Sequence, residues 1–262
     1  MILDKLVEVS RQRVERLKQE KSLEQIKAEA MALAADTGFP FEQALSRPGM
    51  SFICEVKKAS PSKGVIAADF PYLDIAKEYE AANAAAISVL TEPDYFQGQD
   101  RYLKEIAAAV KIPVLRKDFT VDAYQIFEAK LLGAAAVLLI CAILSDEQLK
   151  EYIGIADRLG LSALVEAHDA EEVRRAVAAN SRIIGVNNRD LRTFTVDIQN
   201  SVRLRDLIPS DKIYVSESGI ATPEDVGMLY RNGTDAVLIG ETFMRSDNKP
   251  EMLKLLQRDC HN

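Results

Sequence analysis

Four ionisable side chains carry the chemistry that this sequence suggests. Glu55 and Lys57 lie in the run SFICEVK, Lys117 in IPVLRKD and Glu166 in LSALVEAH. Side chains two apart on a strand share a face, so Glu55 and Lys57 point one way and Cys54 and Val56 the other. If that face is the inside of a barrel, two carboxylates and two ammonium groups meet in a partly dry cup, where each tunes the proton affinity of the next. Such a set can give protons to a bound molecule and take them back. The competing reading is a polar plug of structural ion pairs, since charged groups at strand ends are often only solvated.

A second pattern suggests an anion cradle. Ser218-Gly219 follows the seventh apolar run and Gly240-Glu241 the eighth. Backbone N–H groups of two such turns, with a helix N-terminus, can hold a phosphate, and glycine lets the backbone come close. Glu241 fits there if its amide donates while its carboxylate points elsewhere. Glycine after a strand is also commonly just a turn. Tyr95, Phe96, Phe119 and Phe194 follow runs two, three and six, and either line a slot for an aromatic ring or pack their own loops. Asn187, Asn188, Arg189 and Glu217 are further polar groups at strand ends. His168 is expected in a turn or helix start rather than as a base, and Cys141 as a small buried apolar group.

These groups need elements to hold them. Eight short apolar runs begin at Ser51, Ala85, Ile112, Ala134, Leu161, Arg182, Lys212 and Ala236. Bounded by Gly, Pro or charge, they read as strands buried on both faces. Amphipathic stretches lie between them. Helices are predicted from Pro71, from Ser145 (an N-cap, with Gly160 at the end) and from Thr222 (an N-cap, with Pro223 first and Gly233 last). The spacing of roughly 20 to 35 residues per strand is that of a strand–helix unit. The predicted fold class is therefore α/β, a closed (β/α)8 TIM barrel spanning residues 49–262, with an N-terminal helical extension over residues 1–48 packed on it, one domain overall. The runner-up, an open doubly wound sheet, would favour a glycine-rich fingerprint after the first strand, where KASPSKG stands instead. Within the extension, DKLVEVSRQRVERLKQ, SLEQIKAEAMALAA (with a capping box from Ser22 to Gln25) and FEQALSR read as helices.

Composition narrows the function. The 48% hydrophobic and 28% charged content is that of a globular chain, and the net charge of −7 argues against a nucleic-acid partner. No apolar run reaches the roughly 18 residues of a membrane span, and the charged start lacks a signal peptide. Cys54, Cys141 and Cys260 read as reduced thiols, which places the protein in the cytoplasm. With two histidines, His168 and His261, and no cysteine cluster, no metal site is expected.

The motifs EVKKASPSKG from Glu55, VLRKDF from Val114, LVEAH from Leu164, GVNNRDL from Gly185, VSESGI from Val215 and LIGETFM from Leu238 occur in this order. Together they resemble the indole-3-glycerol-phosphate synthase family, in its stand-alone form. The resemblance implies ring closure, decarboxylation and dehydration of 1-(2-carboxyphenylamino)-1-deoxyribulose 5-phosphate in tryptophan biosynthesis, without metal or organic cofactor. It makes Lys117 the general acid at the ketone oxygen and Glu166 the acid–base partner in dehydration. Glu55 and Lys57 complete the proton network, Lys57 also facing the substrate carboxylate. Asn187 and Arg189 orient the substrate, and Ser60 binds an anionic end. Ser218, Gly219, Gly240 and Glu241 hold phosphate, with Ser218 also counted in the catalytic set. Phe96, Phe119, Leu138 and Phe194 pack the anthranilate ring. The expected partner is a small phosphorylated molecule, the expected assembly a monomer or weak homo-oligomer. Another phosphate-binding barrel enzyme, such as a sugar-phosphate isomerase, and a non-catalytic binding barrel are the alternatives.

Overall fold

Val, Ile and Leu dominate the eight apolar runs, and β-branched residues suit a pleated backbone buried on both sides. In the computed structural model, which describes residues 2–190 and 193–260, every run forms a strand. Leu191 of the GVNNRDL motif and His261 lie outside the described residues. The barrel strands are β1 (Ser51–Val56), β2 (Ala86–Leu90), β3 (Val114–Lys117), β4 (Ala136–Ile140), β5 (Ser162–Ala167), β6 (Ile183–Asn187), β7 (Ile213–Glu217) and β8 (Ala236–Ile239). All pair in parallel, each with its sequence neighbours, and β1 also pairs with β8 (Ser51 opposite Ala236), which closes the ring and removes the open-sheet alternative.

Alternation splits each strand between two cores. Ile53, Leu115, Leu164, Val215 and Leu238 fill the barrel interior. Phe52, Cys54, Val89 and Val165 face outward against the helices. The crossover helices obey their caps. Ser145 accepts from Gln148 N in a capping box before Asp146–Arg158, and Gly160 follows at φ +69°. Thr222 caps Pro223–Arg231 in the same way, and Gly233 follows at φ +78°. The left-handed backbone at both glycines is open to a residue without Cβ.

Residues before β1 form α1 (Ile2–Glu20), α2 (Leu23–Met31) and α3 (Pro40–Leu45). Helix α3 starts at Pro40, one residue before the predicted start, because proline suits the first helical turn. The Ser22–Gln25 capping box is present. These helices reach both ends of the barrel. At the carboxyl end, Arg13 donates to both oxygens of Asp118 at 2.7 Å, just past β3. At the amino end, Glu42 meets Ser162 and Arg182 at the starts of β5 and β6. There α3 inserts Phe41 and Leu45, both fully buried, as the floor of the barrel core. Phe41→Ala should therefore cost about 3–5 kcal/mol of unfolding free energy. Urea unfolding measures it; a loss below about 1 kcal/mol would show that α3 is not part of the core.

Candidate active site

The carboxyl end of the barrel carries polar residues one inward step beyond the apolar interior. Glu55 follows Ile53 by two positions, Lys117 follows Leu115, Glu166 follows Leu164 and Glu217 follows Val215, so alternation turns all four inward. The Lys117 ammonium donates to Glu166 Oε2 at 2.9 Å and to Glu217 Oε2 at 2.7 Å. Lys57 donates to Glu55 Oε1. All five groups line one cavity of about 880 Å3, into which α1 brings Ile2, Leu3 and Leu6. The four side chains singled out in the sequence thus share a cavity. Glu217 joins them as a fifth: the sequence reading placed it at a strand end but outside the set, although the step from Val215 already pointed it inward.

Two glycines make space for these charges. A Cβ on Gly185, opposite Val215 in the next strand, would fall against Glu217 Oε1. A Cβ on Gly240 would fall against Glu55 Oε1 and lie 2.8 Å from Lys57 Nζ. Gly240 therefore has a packing role at the Glu55–Lys57 pair besides any part in holding an anion.

The charges perturb one another strongly because water is scarce. Burial works to neutralise Lys117, but Glu166, Glu217 and Glu55 outweigh it and hold the ammonium above the usual lysine value. Burial would also raise Glu166, yet Lys117 and His168 hold it well below the usual carboxylate range. Glu217 goes the other way. Burial, only partly offset by Lys117, pushes it up to about 7, with Glu166 adding repulsion.

His168 has its expected placement and adds two carboxylate contacts. It does sit at a helix start, immediately before the Asp169 cap of Ala170–Ala178. Its ring, however, places Nε2 3.3 Å from Glu166 Oε1 and Nδ1 3.0 Å from Glu172 Oε2. Burial opposes its charge, but the two carboxylates prevail and raise it to about 10.

The remaining candidates surround the charged centre. Ser218 and Gly219 both have positive φ, +70° and +79°, and line the cavity with Gly240 and Glu241. The Glu241 carboxylate turns aside to Arg245 at 2.9 Å and Lys63 at 3.5 Å, which leaves its backbone as the group near the turn. Asn187 faces the cavity, and its Oδ1 accepts from Arg189 N at 3.0 Å. Asn188 instead braces the loops, donating to Ser216 Oγ and Ser218 O. Phe96, Phe119, Leu138 and Phe194 all line the cavity, Phe96 and Phe119 with ring centroids 6.2 Å apart; Tyr95 is not among the lining residues. Ser60 lines it from a short hairpin (Ala59–Ser60 with Gly64–Val65) that the sequence reading did not foresee. Cys141 is buried, and burial pushes its thiol up to about 12. Among the described residues no cluster suited to a metal ion occurs, and no helix is long and apolar enough to cross a membrane.

The raised carboxyl at Glu217 has a measurable sign. In the folded chain it keeps its proton to about pH 7, against an ordinary value of 4.5. Its contribution to stability is full below the ordinary value and is lost as pH rises through 7. Relative to wild type, Glu217→Gln should therefore gain stability between pH 5 and 8, on the order of 1–3 kcal/mol. Urea unfolding at both pH values checks this; a variant that falls behind as pH rises contradicts it.

The family model for indole-3-glycerol phosphate synthase matches residues 3–256. A protein of that description from Ruminiclostridium cellulolyticum is 60% identical over 97% of this chain and 98% of its own length. One from Endomicrobium trichonymphae is 56% identical over 98% of this chain and all of its own. Among solved structures, a mandelate oxidase matches with a TM-score of 0.61 at 16% identity, over 87% of each chain, a likeness of fold alone. On the family match and the near full-length identity, the chain belongs to the indole-3-glycerol phosphate synthase family.

Proposed function

We propose that this cup carries out the family's reaction, closing 1-(2-carboxyphenylamino)-1-deoxyribulose 5-phosphate to indole-3-glycerol phosphate with loss of carbon dioxide and water, through the following roles. The observation that carries the reading is the Lys117 ammonium held between Glu166 and Glu217 within a cavity that also contains an aromatic slot and two glycine turns.

Lys117 protonates the ketone oxygen as the ring carbon bearing the carboxylate attacks the ketone carbon. Its positive charge, fixed before substrate arrives, meets negative charge that develops on that oxygen. Carbon dioxide then leaves, and its electron pair restores the aromatic ring. Glu166 removes the carbon-bound proton in the dehydration that follows, with Glu217 and the Glu55–Lys57 pair sharing protons with it. Lys57 also faces the substrate carboxylate. Phe96, Phe119, Leu138 and Phe194 pack the anthranilate ring. Ser218, Gly219, Gly240 and the Glu241 amide hold the phosphate. Asn187 and Arg189 orient the chain between these two ends, and Ser60 binds an anionic end. Anchoring both ends folds the substrate so that the ring carbon meets the ketone.

The same reading takes residues 1–48 as an integral part of a single domain, supported by the Arg13–Asp118 and Glu42–Arg182 contacts. It places the protein in the cytoplasm, as a monomer or weak homo-oligomer.

Pure protein given the carboxyphenylamino ribulose phosphate without added metal should form a fluorescent indole product. Lys117→Ala should lower kcat about a thousandfold or more with an unchanged circular dichroism spectrum. No product from the folded wild type, or substantial turnover in the variant, overturns these roles.

A further inference from the structure

His168 stands between two cavities. Glu166 lines the cup, whereas His168 and Glu172 line an adjoining polar cavity of about 470 Å3. Asp169 and Arg203, both exposed, carry that second cavity to the surface. The imidazole spans the wall, with Nε2 3.3 Å from Glu166 Oε1 and Nδ1 3.0 Å from Glu172 Oε2. Two further contacts hold its backbone: its N–H donates to the same Glu172 oxygen at 2.8 Å, and Asn200 Nδ2 donates to its carbonyl at 2.9 Å. Nε2 is buried, and it faces Glu166 Oε1 at 3.3 Å as an ion pair rather than an aligned hydrogen bond.

The reaction creates a demand that such a bridge would meet. Ring closure places one proton on the ketone oxygen. Carbon dioxide departs as a neutral molecule from a carboxylate and returns only an electron pair. Dehydration places one proton on the leaving hydroxyl and takes one from carbon. The sum is one proton consumed per turnover, and it must come from solvent. Lys117, which gives the first proton, lines the cup with its side chain only 14% exposed.

We propose that His168 carries this proton from the second cavity to Glu166, and through Glu166 to Lys117, with Glu172 holding the ring; the inference rests on the synthase reading above. The imidazolium gives its Nε2 proton to Glu166 Oε1. Glu166 Oε2, 2.9 Å from Lys117 Nζ, returns it to the neutral amine. Release of Nδ1–H from Glu172 lets the neutral ring rotate about Cβ–Cγ and turn bare Nε2 toward the second cavity; there it takes a proton from solvent, and the charged ring turns back onto Glu172 and Glu166. The raised proton affinity of His168 keeps the ring charged at neutral pH, so the carrier is loaded before each cycle.

A relay and a mere prop for Glu166 differ in which turnover they slow. The first turnover can run on protons already in the cup; later ones need reloading. With enzyme in excess over substrate, His168→Asn should slow product formation several-fold less than it slows steady-state kcat, which in dilute buffer should fall about tenfold or more and recover on adding imidazole. Glu172→Gln, a milder change at the outer end, should show the same pattern with a smaller drop in kcat. An unchanged kcat in both variants overturns the relay, as does a first turnover slowed as much as kcat, which would make His168 only a support for Glu166. Wild type is measured alongside: if it forms no indole product, the synthase reading falls and the relay with it, whereas an active wild type beside an undiminished variant sinks the relay alone.

Discussion

The ammonium of Lys117, clasped by Glu166 and Glu217, is the interaction on which the site depends. Withdrawing a lysine from water costs several kcal/mol unless carboxylates of good geometry replace the solvent. Two such carboxylates lie within 2.9 Å here, and neither can be lost without leaving the rest unbalanced. Glu55 and Glu217 share the floor of the cup with Glu166, Lys57 and Lys117, and His168 reaches Glu166 from the wall. The intermediate proton affinity of Glu217 lets one proton move among them near neutral pH. A doubly anionic substrate then meets charge that is already arranged, which is the condition for stabilising a transition state without reorganisation.

Placement of that ammonium is a matter of strand geometry and outer support. Lys117 ends β3, and the next residue, Asp118, is buried with its carboxylate bound by Arg13 of α1, by Thr91 and by Arg116. Burial would raise Asp118, but Arg13 and Arg116 prevail and hold it below its usual value, so it stays ionised. The N-terminal helix is thereby tied to the residue adjoining the proposed general acid, and the same helix brings Ile2, Leu3 and Leu6 to the mouth. Sites supported in this way, on strands and by a second layer of ion pairs, hold their geometry better than sites on loops.

Much of this was legible in the sequence because a parallel barrel repeats one rule. Apolar runs of five or so residues marked all eight strands, and period-two alternation placed Glu55 and Lys57 on a single face. The same rule, applied from Val215, puts Glu217 in the cup, next to the Ser218-Gly219 turn. His168 was harder to foresee. It follows β5, outside regular alternation, and its contacts with Glu166 and with Glu172 four residues on depend on how the helix start turns the ring. The hairpin at Ala59–Ser60 and Gly64–Val65 is only two residues per strand, too short to give a periodic signal. Gly240 reads as an anion-binding turn, whereas its packing against Glu55 and Lys57 is a contact between paired strands far apart in sequence that no local pattern encodes.

The central claim is that Lys117 is a stable ammonium held by its two carboxylates, ready to act as an acid. Nitrogen NMR of protein labelled at lysine side chains, followed through an alkaline titration, reads this directly. The account predicts that Lys117 keeps its proton beyond the 10.5 of an ordinary lysine. Titration of Lys117 at or below that value in the folded protein would contradict it, because the carboxylates would then fail to offset burial.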